Sequence, residues 1–282
     1  MRPDSRSLFG NLRADVEAAI LKFIGTTLWL LFALGGIQSS IWTNQDFLSS
    51  VTNGHVRPIP SSQQVVHAAA AFGLSLLVAM WLFYRATGGV FNPNVSLALL
   101  LVGVIGPVRF FLFFIAQILG AIAASAILLG LLPGPLVVTP APGNGINVVQ
   151  ALFIEAFMTT MLVLAVLMLA AEKHKGTPFA PIGVGLTVFA GMLWGDIYTG
   201  CAMNTARAFG PAVFSGFDGR HWVYWVGPFL GSLMATALYV ILKHIRYWDL
   251  NPDQETQDPK QSPMSNGSSK TENGNRREAA AA

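Results

Sequence analysis

The sequence predicts an all-α membrane protein: six transmembrane helices plus two re-entrant half-helices, arranged as an inverted repeat. Three observations predict it. Charged residues make up only 11% of the 282 residues, against about 25% in a soluble protein. Six windows are long and apolar enough to cross a bilayer, which takes roughly 20 residues each. Short segments recur at fixed spacing between the two halves.

The charges are also unevenly placed. Residues 1–17 carry six and residues 249–282 carry ten, which leaves 15 for the 231 residues from 18 to 248. A water-facing surface cannot be built from so few, so a soluble enzyme, a nucleic-acid binder and a secreted disulfide scaffold are excluded. The lone Cys201 cannot form an internal disulfide. Nucleophile, metal-ligand cluster and carboxylate pair are all missing from the pattern, so no catalytic residue, cofactor or metal is expected. A sequence pI near 9.2 reads as basic membrane flanks.

In chain order, residues 1–17 form a polar tail, with no cleavable leader pattern. Residues 18–248 form the membrane domain, with repeat one at about 18–131 and repeat two at about 148–246. The spans are read at about 18–41, 65–86, 107–131, 148–171, 180–197 and 222–245. Two apolar stretches, about 93–101 and 205–214, are too short to span. Each begins at an asparagine, Asn92-Pro93 and Asn204-Thr205, after a Gly-containing loop, and reads as a half-helix. The Pro- and Gly-rich segment 131–150 connects the halves on the outside. Residues 249–282, rich in Asn, Ser, Gln and Pro, read as a disordered tail.

Basic residues set the orientation. With the N-terminus cytoplasmic, inner flanks carry Arg2, Arg6, Arg13, Arg85, Arg109, Lys173, Lys175, Lys243 and Arg246, and outer loops carry Arg57 and Arg220. That bias places both termini in the cytoplasm, with the plasma membrane as the expected residence.

The repeat is explicit. Ala71-Phe72-Gly73-Leu74-Ser75 pairs with Gly183-Val184-Gly185-Leu186-Thr187 at an offset of 112. Thr87 to Asn92 pairs with Thr199 to Asn204 at the same offset, and Thr26-Thr27 pairs with Thr159-Thr160 at 133. Three spans per half invert the second half, and inverted repeats with broken helices hold their site near the midplane. Asn92 and Asn204 are good N-caps, and each cap leaves its NH₂ group free as a donor. Two half-helices meeting head to head bring two positive dipole ends together. Water there turns its oxygen toward the donors, and cations are disfavoured.

These residues resemble the aquaporin family, the major intrinsic proteins, over about residues 18–246. The strongest stretches are Tyr198-Thr199-Gly200-Cys201-Ala202-Met203-Asn204-Thr205-Ala206-Arg207-Ala208-Phe209-Gly210-Pro211-Ala212 and His221-Trp222-Val223-Tyr224-Trp225-Val226-Gly227-Pro228. The resemblance implies passive permeation of water or small neutral solutes, a pore in each protomer and a homotetramer in the lipid bilayer. By position it implies a selectivity filter of Phe72, Met192, Cys201 and Arg207. It implies a central constriction at Asn92, Pro93, Asn94, Asn204, Thr205 and Ala206, and loop support from Glu155. Ala208 after Arg207 and the pair Tyr224-Trp225 are similar to the water-channel subgroup rather than the glycerol conductors.

Some positions depart from the family. Asn94 stands where Ala is usual, Thr205 where Pro is usual, and Met192 where water-selective members often have His. Asn94 is expected to add a polar side chain near the constriction and Thr205 to loosen its half-helix start. Met192 removes a hydrogen-bonding group and suits hydrogen peroxide as an alternative solute, with glycerol behind it. Lys22 stands where the family usually has Glu, and is expected to snorkel to the cytoplasmic interface. Glu155, its repeat partner, is placed toward a membrane face. Cys201 is expected to be a pore-side target for mercury. His67 and His174, placed near the cytoplasmic end, are candidates for pH gating, and Ser262, Ser265 and Ser268 for phosphorylation.

Overall fold

The computed structural model describes residues 11–44, 59–143, 145–251 and 254, and every described element is helical. Six helices are long and apolar enough to cross a membrane. The long helices are α1 (Leu12–Trp42), α2 (Ser62–Thr87), α4 (Pro107–Leu131), α5 (Val148–Val166), α6 (Ala180–Thr199) and α8 (Val223–His244). Two short ones, α3 (Pro93–Leu101) and α7 (Thr205–Ser215), are the half-helices. A π-turn, Leu167–Ala171, extends α5, and a 3-10 turn, Thr177–Phe179, leads into α6. The tail calls at 1–10 and 255–282, with the three serines and Arg57, lie outside the described residues.

Helix starts follow local chemistry. Ser61 caps α2 by accepting the Gln64 N–H, and Asn147 with Gln150 forms a reciprocal capping box on α5. Pro93 and Pro107 occupy first turns, where a missing N–H costs nothing. The first helix begins at Leu12, six residues before the apolar window. An Arg13–Glu17 pair one turn apart extends it beyond the window.

The repeat reappears as packing. Thr27 Oγ1 sits between the Phe23 and Gly120 carbonyls, joining α1 to α4. Its repeat mate, Thr160, does the same with Ala156 and Gly231, joining α5 to α8. Across the pseudo-twofold axis α2 meets α6 at Gly73 and Gly185. A methyl group on either would lie 2.8 Å from the other's carbonyl oxygen. Small residues at such crossings let helix backbones approach closely inside a membrane.

By backbone contact the chain divides into Met1–Leu242 and Lys243–Ala282. In the second unit Arg246 pairs with Asp249 at 2.8 Å, and the Lys243 ammonium lies over the Trp248 ring.

Candidate functional site

Both re-entrant loops turn by the same device. Gly88 and Gly200 end α2 and α6 in the left-handed conformation, and the next residues, Gly89 and Cys201, hold it too. Cys201 (φ 43°) and Met203 (φ 49°) do so with side chains, a strained conformation for non-glycine residues. Glu155 holds that strained loop. Its carboxylate accepts the Thr199 hydroxyl (2.6 Å), the Ala202 N–H (2.9 Å) and the Met203 N–H (2.8 Å). It is fully buried beneath the loop, not turned to a membrane face.

Lys22 does the converse in the first half. Lys22 is 1% exposed, and its ammonium donates to the Thr87 carbonyl at 2.8 Å. It also lies 4.9 Å from the Phe113 ring centroid and 5.6 Å from that of Phe91. The expected snorkelling does not occur. A carbonyl and two ring faces provide the solvation that an interface would otherwise supply. Gln117 of α4 also braces this loop, donating to the Val90 carbonyl at 3.2 Å.

The loops cross at the two asparagines. Asn92 Oδ1 accepts the Asn94 N–H, and Asn204 Oδ1 accepts those of Ala206 and Arg207. Their amide groups, expected from sequence to be free donors, are partly engaged. Asn92 Nδ2 donates to the Met203 carbonyl (2.7 Å) and Asn204 Nδ2 to that of Phe91 (2.9 Å). One hydrogen per amide is thus used in a reciprocal lock, and the second remains for a passing solute.

Both asparagines line a narrow cavity of about 20 Å³, measured as room for the centre of a water-sized sphere. That is enough for about one or two waters. The wall obeys the repeat. Trp29 matches Leu162 at offset 133, while Phe72 matches Val184 and Leu76 matches Val188 at 112. Sequence reasoning found only Phe72 among these. Applying the offset of 112 to it would have found Val184, but nothing in the spacing marks Trp29 as facing a cavity.

A wider vestibule of about 260 Å³ opens on the other side of Arg207, whose neighbours there include Gln64, Asp196 and Gly200. Arg207 is 2% exposed and donates to the Val138 and Gly200 carbonyls at 3.3 and 3.2 Å. Its guanidinium lies 5.3 Å from the centroid of the Phe72 ring. Phe72 of the inner cavity's wall and Arg207 of the vestibule's wall are therefore in contact. Met192 and Cys201 are fully buried and line neither space. The Cys201 thiol points at the Met158 sulfur, 3.4 Å away, rather than into a cavity.

Asn94 and Thr205 are fully buried and also line neither space, and Ala206 is buried beside them. Asn94 thus adds no polar group to the cavity wall. Thr205 is not loosened, because its backbone N–H donates to Asn94 Oδ1 at 3.0 Å. Pro93 is buried at the first position of α3.

The two histidines lie at opposite ends, which corrects their placement together. His174 belongs to the turn that meets the last turn of α2, where Tyr84 donates to the Thr177 carbonyl at 2.9 Å. His67 lies near the start of α2, in a polar recess with Ser40, Asn44 and Gln64. Helix α2 runs back from the end of α1, so its first turns lie far from the 172–177 turn.

The profile of the family Major intrinsic protein (MIP) matches residues 12–239. Aquaporin-1 of Laccaria bicolor is 55% identical over 264 residues, 93% of this chain and 83% of that protein. Aquaporin-1 of Gibberella zeae is 43% identical over 245 residues, 87% of this chain and 75% of that one. The X-ray structure of the aquaglyceroporin from Plasmodium falciparum superposes with a TM-score of 0.61 at 20% identity, covering 81% of this chain and 99% of that one, a likeness of fold. The chain is an integral membrane protein and belongs to the major intrinsic protein family, the aquaporin channels.

Proposed function

We propose that the protein is a passive water channel that excludes protons and ions, with both termini cytoplasmic, in the plasma membrane and as a homotetramer. Residues 18–248 form the channel and the flanking segments are tails. The observation that carries the reading is the small size of the cavity at the two asparagines. A cavity of about 20 Å³ between Asn92 and Asn204 takes water in single file. Phe72 and Arg207 narrow the route where this cavity meets the vestibule. Solute loses hydration at that pair, passes the two asparagine amides and continues along the loop carbonyls, down its gradient. Basic residues at one end, Arg13, Arg85, Arg109, Lys173 and Lys175, support the orientation.

Hydrogen peroxide is the second reading, ahead of glycerol. Apart from Arg207, the wall at this point brings only Phe72, which has no hydrogen-bonding side chain, since Met192 and Cys201 line neither space. Water then has no privileged partner there over a slightly larger polar solute. Stopped-flow light scattering on proteoliposomes under a sucrose gradient tests the first reading, with an enclosed dye reporting peroxide entry. Fast shrinkage is expected. Slow water flux with fast peroxide entry would replace the first reading by the second.

A further inference from the structure

We infer that Asn94 and Thr205 are a single interdependent positioning pair, which sets the two capping asparagines at the crossing of the half-helices. The inference deepens the channel reading and rests on it.

Thr205 is the first residue of α7, and its N–H has no partner within its own helix. Proline at this position has no N–H and needs no acceptor. Threonine brings one into a site that is 0% exposed. Asn94 supplies the acceptor. Its Oδ1 takes the Thr205 N–H at 3.0 Å and lies 3.1 Å from the Thr205 hydroxyl. That hydroxyl is also 3.0 Å from the Tyr224 carbonyl, so its one proton serves either acceptor. The Asn94 carbonyl in turn accepts the Ser232 hydroxyl at 2.7 Å. Thus α3, α7 and α8 are tied at one buried knot, two residues from Asn92 and one from Asn204. The knot lines neither cavity, so its effect on conduction passes through those asparagines.

The geometry fixes the sign of the coupling. Alanine at 94 alone strands the Thr205 N–H. Proline at 205 alone strands Asn94 Oδ1, beside an Nδ2 that already lacks a partner among the described residues. Making both changes removes both partners of the Asn94–Thr205 bond, and replacing both partners of a buried bond is close to neutral; the Tyr224 carbonyl still loses the Thr205 hydroxyl, in the proline and the valine variants alike. The backbone is ready for proline, since Asn204 is extended (φ −159°, ψ 114°), as a residue before proline must be.

The test is a double-mutant cycle on the full chain in proteoliposomes: Asn94→Ala, Thr205→Pro and both together, with Thr205→Val as a fourth variant. Water permeability per reconstituted protein, the urea-to-water permeability ratio and thermal unfolding in detergent are read. Each of the first two single variants should lose water permeability about five-fold or more and raise the urea ratio, and the double variant should return within about two-fold of the wild type. Thr205→Val keeps the N–H and loses only the hydroxyl, so it reads the loss at the Tyr224 carbonyl by itself and should stay much nearer the wild type than proline. Multiplying losses in the double variant, silent single variants, or a valine as damaging as proline would each overturn the pair. If the single variants do not fold, a double variant that folds and conducts upholds it, and one that does not overturns it. A wild type without water flux would sink the water reading alone, and the cycle would still be read from unfolding.

Discussion

Glu155 offers two carboxylate oxygens to three donors of a strained loop. Glu155→Gln keeps the shape but turns an amide NH₂ toward a donor. Leaving one buried donor unpaired costs about 1–3 kcal/mol, and the cost falls on the segment that carries Cys201, Met203 and Asn204. Thermal unfolding in detergent should drop accordingly, and water permeability with it. A variant with wild-type stability would mean that the left-handed loop needs no such brace. His221 offers a second test outside the spans. Its ring packs edge-on against Phe217 at 4.8 Å, and neither ring nitrogen has a partner among the described residues. Burial pushes its pKa below the ordinary 6.5, against the pull of the Asp218 charge. The unfolded chain then binds a proton more readily than the folded one, so the stability from this site is full above pH 6.5 and falls as pH drops below it. His221→Phe fits the aromatic surroundings and should flatten the acid side of the unfolding-temperature profile. An unchanged slope would assign the acid sensitivity to other groups.

Two like-placed helix pairs, α1–α4 and α5–α8, are held at close range by a threonine facing a glycine. At Gly231 a methyl group would press on the Ala156 carbonyl and lie 2.8 Å from Thr159 Cβ. Gly231→Ala should therefore separate α5 from α8 and cost about 1–3 kcal/mol by overpacking. Gly130 is the control, since nothing lies within 4 Å of its added methyl, and alanine there should be neutral or stabilising. Equal effects in detergent unfolding would refute the close-contact account. Elements of this kind were legible from sequence where local chemistry decides them. Asn-Pro and Asn-Thr after glycine mark half-helix starts because a cap and a left-handed turn are local needs. Lys22 was misread because hydropathy sends a lone charge to an interface, and the Thr87 carbonyl and two rings come from elsewhere in the chain. His67 was misplaced although the alternation of spans already sets it at the end opposite His174. Trp29 was missed because α1 shows no periodic cue to which of its apolar residues face the cavity.

At the scale of the whole molecule, the interior collects fixed charge of uneven sign. Arg207, Lys22 and two half-helix N-termini are positive, against Glu155, the one carboxylate among the described residues with no exposure at all and itself spent on loop donors. The selectivity of such a channel depends on how this field is divided along the route. Arg207 is best placed to dominate. It lines the vestibule and touches Phe72 of the inner cavity's wall, and part of its guanidinium, Nε, has no partner among the described residues. A cation about 5 Å from this charge, at an effective dielectric constant near 20, meets a barrier of about 3 kcal/mol, or roughly 10²-fold in rate. The half-helix ends act further along and remain when the arginine is removed. Arg207→Met keeps most of the apolar stem over Phe72 and should leave water permeability within about ten-fold of the wild type. Potassium or proton leak through the same vesicles, read by an enclosed pH dye under a clamped potential, should rise by about 10²-fold. A leak that stays at the wild-type level would move the main barrier inward, to the crossing at Asn92 and Asn204. The reciprocal amide lock there would then be what keeps charge out.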